Sequence, residues 1–211
     1  LPFSPINVVI EDSVDQNILY VGTDNGVYVT FDKGENWHAF SNGLPKVAVH
    51  DLVLQKRDKE LVIGTHGRSI YKTSIAPLQE FNFMKSKNLT VFEMPSVRYS
   101  SRWGNSWSKW MKPSEPTVAI PYFVSEEGKF TVTVLAENGT KLNSFKVDAK
   151  KGFNYFDYHL VILEKNAKKY NSTIKEKTQK AKNGNYYLPK GNYSIKISNE
   201  KYSSQQKLSV K

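Results

Sequence analysis

The sequence predicts an all-β protein in two parts, and three observations lead to that expectation. The segment Leu19–Thr23 recurs as Leu61–Thr65, 42 positions further along the chain. Short runs of β-branched and aromatic residues alternate with polar turns in residues 1–84, and again from Pro116 onward. A period near 42 residues matches a four-stranded propeller blade. We therefore predict two β-propeller-type blades, a partial propeller, followed by an immunoglobulin-like β-sandwich.

Residues 1–84 form the first predicted domain, two antiparallel meanders joined near Gly43. The first repeat has predicted strands at Val8–Ile10, Ile18–Thr23, Val27–Phe31 and Trp37–Phe40. The second has them at Asp51–Leu54, Leu61–Thr65 and Ser69–Thr73, with a weaker one near Phe81–Phe83. The turns between them are polar, and the Asn25-Gly26 pair is typical of a tight hairpin.

One turn of the first repeat carries a recognisable motif, Thr30, Asp32, Gly34 and Trp37. Asp32 is suited to accept hydrogen bonds from turn N–H groups, Gly34 to adopt positive φ, and Trp37 to pack its ring against the blade. The motif resembles the Asp-box, Ser/Thr-x-Asp-x-Gly-x-x-Trp, of sialidases, sortilin-type receptors and BNR-repeat proteins. That resemblance implies a structural role for these residues and identifies a blade rather than an activity.

The second repeat lacks the box and carries the turn Gly64–Tyr71, which contains His66 and Arg68. With the preceding residues 43–52, it resembles the final blade of large bacterial BNR-repeat proteins that are often labelled glycosyl hydrolases. The resemblance covers roughly residues 1–75 and implies an extracellular, cell-surface or periplasmic bacterial protein. His66 and Arg68 are predicted binding residues at a central opening, or else members of a turn network that closes the last blade.

Two blades cannot close a propeller, which needs at least four. We therefore expect the missing blades upstream of Leu1 in a parent protein, or a second copy of this chain as a homodimer partner. The apolar side chains expected on uncovered blade faces are Val21, Tyr28, Val62 and Tyr71.

Residues 85–116 are predicted to be a connector without strand periodicity. Trp103, Trp107 and Trp110 are spaced at i, i+4 and i+7, which would place three indoles on one face of a helix. Such a row is suited to stacking on sugar rings, and the three residues are candidate binding residues. The alternative is that they bury the connector against a neighbouring domain.

Residues 117–211 form the predicted sandwich. Its strands are expected at Val118–Phe123, Phe130–Ala136, Lys141–Val147, Asn154–His159, Tyr193–Ser198 and Gln206–Val210. Gly152–Tyr158 and Leu188–Ile195 resemble signatures of C-terminal Ig-like modules in secreted bacterial proteins, with Phe156 where Trp is usual. Tyr193 is expected to pack while its hydroxyl bonds back to the chain. Residues 164–182 hold seven Lys and are predicted to be a polar insertion, partly helical, either solvated or anion-binding.

Composition narrows the function further. The chain has no Cys, so disulfides, thiol catalysis and Cys-based zinc sites are excluded. The four His, at positions 38, 50, 66 and 159, form no ligand-like pair in sequence, so we predict neither a metal nor another cofactor. No apolar run reaches the ~20 residues of a membrane span. The net charge is −3 over residues 1–84 and +13 over residues 85–211, but the excess is dispersed Lys, which argues against nucleic acid.

The predicted function is a non-catalytic binding or scaffold region that contacts carbohydrate or protein. No convergent set of acid, base and nucleophile is visible, so no catalytic residue is assigned. The alternative is part of a glycoside hydrolase whose active site needs upstream blades, because such enzymes use paired carboxylates. Its candidates are Asp24, Asp32, Glu35 and Asp51, most of them in turn-forming positions.

Overall fold

The structure is a computed structural model that describes residues 1, 3–40, 43–83, 87–108, 110–174 and 177–211, without the side chains of residues 82 and 83. The protein is all-β, with several antiparallel sheets. It divides into two compact units, Leu1–Lys85 and Ser86–Lys211. The predicted domain boundary near residues 84 and 85 falls outside the described residues. No helix in the described part of the chain is long and apolar enough to cross a membrane.

The first unit contains two antiparallel meanders. One sheet has the order β1-β2-β3-β4 and the other β5-β6-β7. The first sheet comprises β1 (Ile6–Glu11), β2 (Leu19–Thr23), β3 (Gly26–Thr30) and β4 (His38–Ala39). The second comprises β5 (Val49–Gln55), β6 (Glu60–Thr65) and β7 (Ile70–Ser74). The strands expected from alternation at these seven places are confirmed, with boundaries moved by at most two residues.

The two repeats share a β-bulge in their first strands, which the sequence did not predict. The register of β1 against β2 shifts between Ile6 and Val8, and that of β5 against β6 shifts between Val49 and Asp51. Each shift leaves one extra residue, Asn7 in the first repeat and His50 in the second. Such a bulge redirects the side chain of the extra residue.

The two sheets pack through their first strands. A Cβ atom added to Gly22 of β2 would come within 2.6 Å of Val8 and 2.7 Å of Val49. Only glycine permits this approach, so β5 lies directly against β1 and β2. Tyr20 and Leu61 are fully buried in the resulting core.

The predicted strand near Phe81–Phe83 is wrong, because this segment belongs to the helix α1 (Ala76–Phe83). The alternation of Phe81 and Phe83 suggested a strand, but tertiary contacts of the helix override it. Gln79 donates from Nε2 to both carboxylate oxygens of Asp12 at 3.0 Å. Phe81 packs edge-on against Phe31, with 5.3 Å between ring centroids.

Asp12 is the centre of a buried network that joins this helix to the first sheet. The carboxylate is 3% exposed and also accepts the Tyr20 hydroxyl at 3.0 Å and the backbone N–H groups of Val14 and Asp15. Burial and the adjoining carboxylate raise the pKa of Tyr20. Because its donors come from the β1–β2 loop, β2 and α1, the carboxylate holds three segments together.

The expectation that Val21 lies on an uncovered face is wrong, since its side chain is 1% exposed. Tyr28, Val62 and Tyr71 are half-buried rather than bare. The apolar side chains that are exposed in this unit include Val9, Val53 and Ile70, at 57%, 52% and 74%.

The second unit has a four-stranded and a three-stranded antiparallel sheet around one hydrophobic core. Its strands are β8 (Leu89–Val91), β9 (Val118–Val124), β10 (Gly128–Ala136), β11 (Lys141–Ala149), β12 (Gly152–Tyr158), β13 (Val161–Ile162), β14 (Tyr186–Tyr187), β15 (Gly191–Ser198) and β16 (Ser203–Val210). The sheets have the orders β11-β10-β15-β16 and β12-β9-β8, and β13 pairs with β14. The six strands predicted here are confirmed.

Three local features refine the sequence analysis. The strand β8 lies in a segment expected to lack strands and pairs with the edge of β9. The Lys-rich segment 164–182 begins with the helix α2 (Glu164–Asn171), although its residues 175 and 176 lie outside the described residues. Tyr193 is 2% exposed and donates its hydroxyl to the Pro189 carbonyl at 2.7 Å, the contact expected for it.

Candidate binding sites

The turn between β3 and β4 is closed by its own side chains. Asp32 accepts the Thr30 hydroxyl at 2.6 Å and the Asn36 backbone N–H at 2.8 Å. The Thr30 hydroxyl oxygen accepts the Gly34 backbone N–H at 3.0 Å. Gly34 has φ +99°, and Trp37 donates its indole N–H to the Gly34 carbonyl at 2.9 Å. Because Asp32 and the Thr30 hydroxyl both accept hydrogen bonds within this turn, the arrangement is suited to fixing the loop.

The turn between β6 and β7 in the second repeat, which corresponds to the turn between β2 and β3 in the first, is polar and exposed. His66 and Arg68 are exposed in the turn between β6 and β7, where Ser69 has φ +151°. The backbone at Ser69 is therefore strained, and Thr65 supports it by accepting the Ser69 N–H at 3.1 Å.

The bulge in β5 brings a second imidazole to this turn. The rings of His50 and His66 lie 5.3 Å apart between centroids. No ligand-like histidine pair is visible in the sequence, because residues 16 positions apart become neighbours only through strand pairing. No group of three or more His, Asp or Glu residues suited to a metal ion occurs within the described residues.

The four carboxylates that were candidates for a hydrolase site have different hydrogen-bond partners. Asp24 accepts the Asn7 side-chain amide at 2.8 Å. Asp51 accepts the backbone N–H of Leu52 at 2.9 Å. Asp32 is committed to its turn, and Glu35 is exposed on the same turn. None of these contacts positions a pair of carboxylates across a common cleft.

The helical expectation for the three connector tryptophans is wrong. Trp103 forms a parallel bridge with Ser114, and Gly104 donates its N–H to the Ser114 carbonyl at 2.8 Å. Gly104 has φ +74°, and a Cβ there would meet Ala181 at 2.5 Å and Tyr187 at 2.7 Å. The residues around Trp103 are therefore not helical, and the chain turns at Gly104, a glycine that is visible in the sequence.

The same geometry separates the three indoles. Trp103 is 7% exposed, in the core of the second unit, with its ring 5.2 Å from Tyr99 between centroids. Trp107 and Trp110 are 81% and 95% exposed. The guanidinium of Arg102 lies 5.6 Å from the Trp107 ring centroid, which is within cation–π distance.

Known proteins show little similarity to this chain. No protein family and no curated protein matches the sequence. Among solved structures, 96% of the chain aligns with 24% of a biofilm-associated protein BSP domain, at 11% identity and a TM-score of 0.29. Likewise, 97% of it aligns with 35% of Drosophila semaphorin 2a, at 12% identity and a TM-score of 0.25. The chain thus spans well under two thirds of both, and these TM-scores are too low to support an argument.

Proposed function

We propose that this chain is a non-catalytic binding and scaffold region of a secreted or cell-surface β-propeller protein, and that it binds carbohydrate. In this proposal the two sheets of the first unit are propeller-type blades of the BNR kind, and the second unit is an immunoglobulin-like sandwich. The repeated bulges and the contact of β1 and β2 with β5 support a blade pair. The Asp32 turn supports the Asp-box interpretation.

The observation that carries the binding function is the exposure of Trp107 and Trp110 beside a buried anchor. Large exposed aromatic side chains are unfavourable in water, and indole faces are well suited to stacking on sugar rings. Trp103 anchors the backbone of their loop in the core of the second unit, and Arg102 lies within cation–π distance of Trp107. The sugar-contacting role predicted for the connector tryptophans is therefore assigned to two of the three.

The experiment is calorimetric titration of the whole chain with purified oligosaccharides of cell-wall and capsular type. We expect the variant carrying Trp107→Ala and Trp110→Ala to lose at least tenfold in affinity, since stacking of each indole is worth about 1 kcal/mol. The matched control is Trp37→Phe, which alters an indole held within its own turn. Unchanged affinity in the double variant, or failure of every oligosaccharide to bind wild-type protein, contradicts the proposal.

A further inference from the structure

The second unit, which carries the excess of positive charge, has a pocket lined by lysines. The pocket has a volume of about 490 Å³ and lies between connector residues 99–105 and the chain segments 177–182 and 187–190. Its lining includes four cations, Lys177, Lys180, Lys182 and Lys190. No Asp or Glu is among its lining residues in the described part of the chain.

Specific hydrogen bonds hold the walls of this pocket. On one side, Asn171 accepts both the backbone N–H and the hydroxyl of Thr178 at 2.9 Å. On the other, Asn183 donates its backbone N–H to the Gly104 carbonyl at 3.0 Å. The irregular segment from Thr178 to Asn183 is therefore fixed against the connector, and the pocket is part of the fold.

The charge of the pocket is only partly balanced. Lys180 pairs with Glu164 at 3.0 Å. Lys182 and Lys190 are exposed and form no ion pair with any described residue. Ammonium groups around a concave surface concentrate a positive potential there, which favours an anionic ligand.

The other groups that line the pocket are of types suited to contacting sugars. Tyr99 and Tyr187 supply aromatic rings, and Ser101, Thr178 and Asn105 supply hydroxyl and amide groups. The volume lies within the usual range for small-molecule sites, which is roughly 300–1,000 Å³. The wall residue Asn105 is two positions from the exposed Trp107.

We propose that this pocket binds the negatively charged unit of an acidic polysaccharide, a sugar that carries a carboxylate or a sulfate ester. The inference rests on the proposed carbohydrate-binding function and specifies its ligand class. Lys182 and Lys190 neutralise the acid group, and the tyrosine rings and neighbouring polar groups contact the sugar ring. A nucleic acid fits the site less well, because the cations are lysines around one pocket rather than an extended stripe with arginines.

The test compares trigalacturonic acid with its fully methyl-esterified form, in which each carboxylate is replaced by a neutral methyl ester, by calorimetry with the whole chain. We expect the acid to bind at least tenfold more tightly at low salt, since a charge-assisted hydrogen bond is worth about that factor. Lys182→Gln with Lys190→Gln should reduce the affinity for the acid to that for the ester. The matched control is Lys141→Gln with Lys146→Gln, the same charge change at exposed positions of β11. This control should leave both affinities unchanged.

Further ligands separate the sources of negative charge. A sulfated chondroitin disaccharide that binds more tightly than the unsulfated disaccharide shows that the sulfate ester is recognised and retains the proposal. Equal affinity for the acid and ester overturns the inference while leaving carbohydrate binding intact. Unchanged binding of the acid by the Lys182 and Lys190 variant also overturns it, as does tighter binding of an oligothymidylate. Failure of all these sugars to bind contradicts the inference, and the Trp107 and Trp110 titrations then decide the wider function.

Discussion

The two compact units use their polar and aromatic side chains differently. In the first unit, Asp12 accepts hydrogen bonds from several segments, whereas Asp32 accepts them within its own turn, where the Trp37 indole also donates. In the second unit, Trp107 and Trp110 are exposed, and the pocket lysines at 182 and 190 form no ion pair with a described residue. The comparison indicates that polar groups of the first unit mainly hold its own sheets, whereas the second unit presents groups that a ligand can use.

The largest expected effect separates the anchoring tryptophan from the exposed ones. Trp103→Ala should lower the free energy of unfolding by about 3–5 kcal/mol, because it leaves a cavity in the core of the second unit. Trp107→Ala should cost less than about 1 kcal/mol, since it removes only a surface cation–π contact. Urea unfolding followed by circular dichroism measures both values. Equal losses of stability at the two positions would contradict the distinction between the buried, anchoring Trp103 and the exposed Trp107.

The next effect concerns the buried carboxylate of the first unit. Asp12→Ala should cost about 2–4 kcal/mol, because it leaves the Tyr20 hydroxyl, the Gln79 amide and two backbone N–H groups without their acceptor. The control Asp24→Ala removes an exposed carboxylate that accepts one side-chain hydrogen bond, and it should cost under about 1 kcal/mol. The same urea titration checks the pair. A small loss for Asp12→Ala would contradict its role in joining three segments.

A smaller effect appears at alkaline pH. Burial raises the pKa of Tyr158 and Tyr193 in the second unit, as it does that of Tyr20 in the first. A phenol with a raised folded-state pKa ionises first in the unfolded chain. Its stabilising contribution is therefore complete below pH ~10, the unfolded pKa, and is lost as the pH rises above it. Each group adds a slope of about 1.4 kcal/mol per pH unit.

Phe substitutions test this assignment. Between pH 10 and 11.5 the free energy of unfolding of the wild-type protein should decrease with pH. This decrease should become shallower in the double variant Tyr158→Phe with Tyr193→Phe, and by more than it does in Tyr20→Phe. An unchanged slope in the double variant would show that these phenols are not protected by the fold of the second unit.

The strands could be predicted from the sequence because alternation of period two is a local signal. The segments Leu19–Thr23 and Leu61–Thr65 repeat that signal with one spacing, which made the two meanders recognisable. The helix at Ala76–Phe83 was missed because its contacts with Asp12 and Phe31 come from distant positions.

The candidate site was less accessible to sequence reasoning. The spacing of the tryptophans suggested one helical face, whereas Trp103 lies in a β-bridge with Ser114 and only Trp107 and Trp110 are exposed. The pocket lysines were visible as a Lys-rich segment, but their arrangement depends on the pairing of Asn183 with Gly104. The neighbouring rings of His50 and His66 likewise result from strand register rather than from spacing.

The most direct test of the central claim follows the indole N–H signals of the four tryptophans by NMR during titration with a bound oligosaccharide. Single Trp→Phe variants assign the four signals. We predict that the signals of Trp107 and Trp110 shift with ligand concentration, while that of Trp37 stays in place because its N–H is held by the Gly34 carbonyl. Saturable binding that moves the Trp37 signal and leaves those of Trp107 and Trp110 unchanged would contradict the assignment of the binding surface to the second unit.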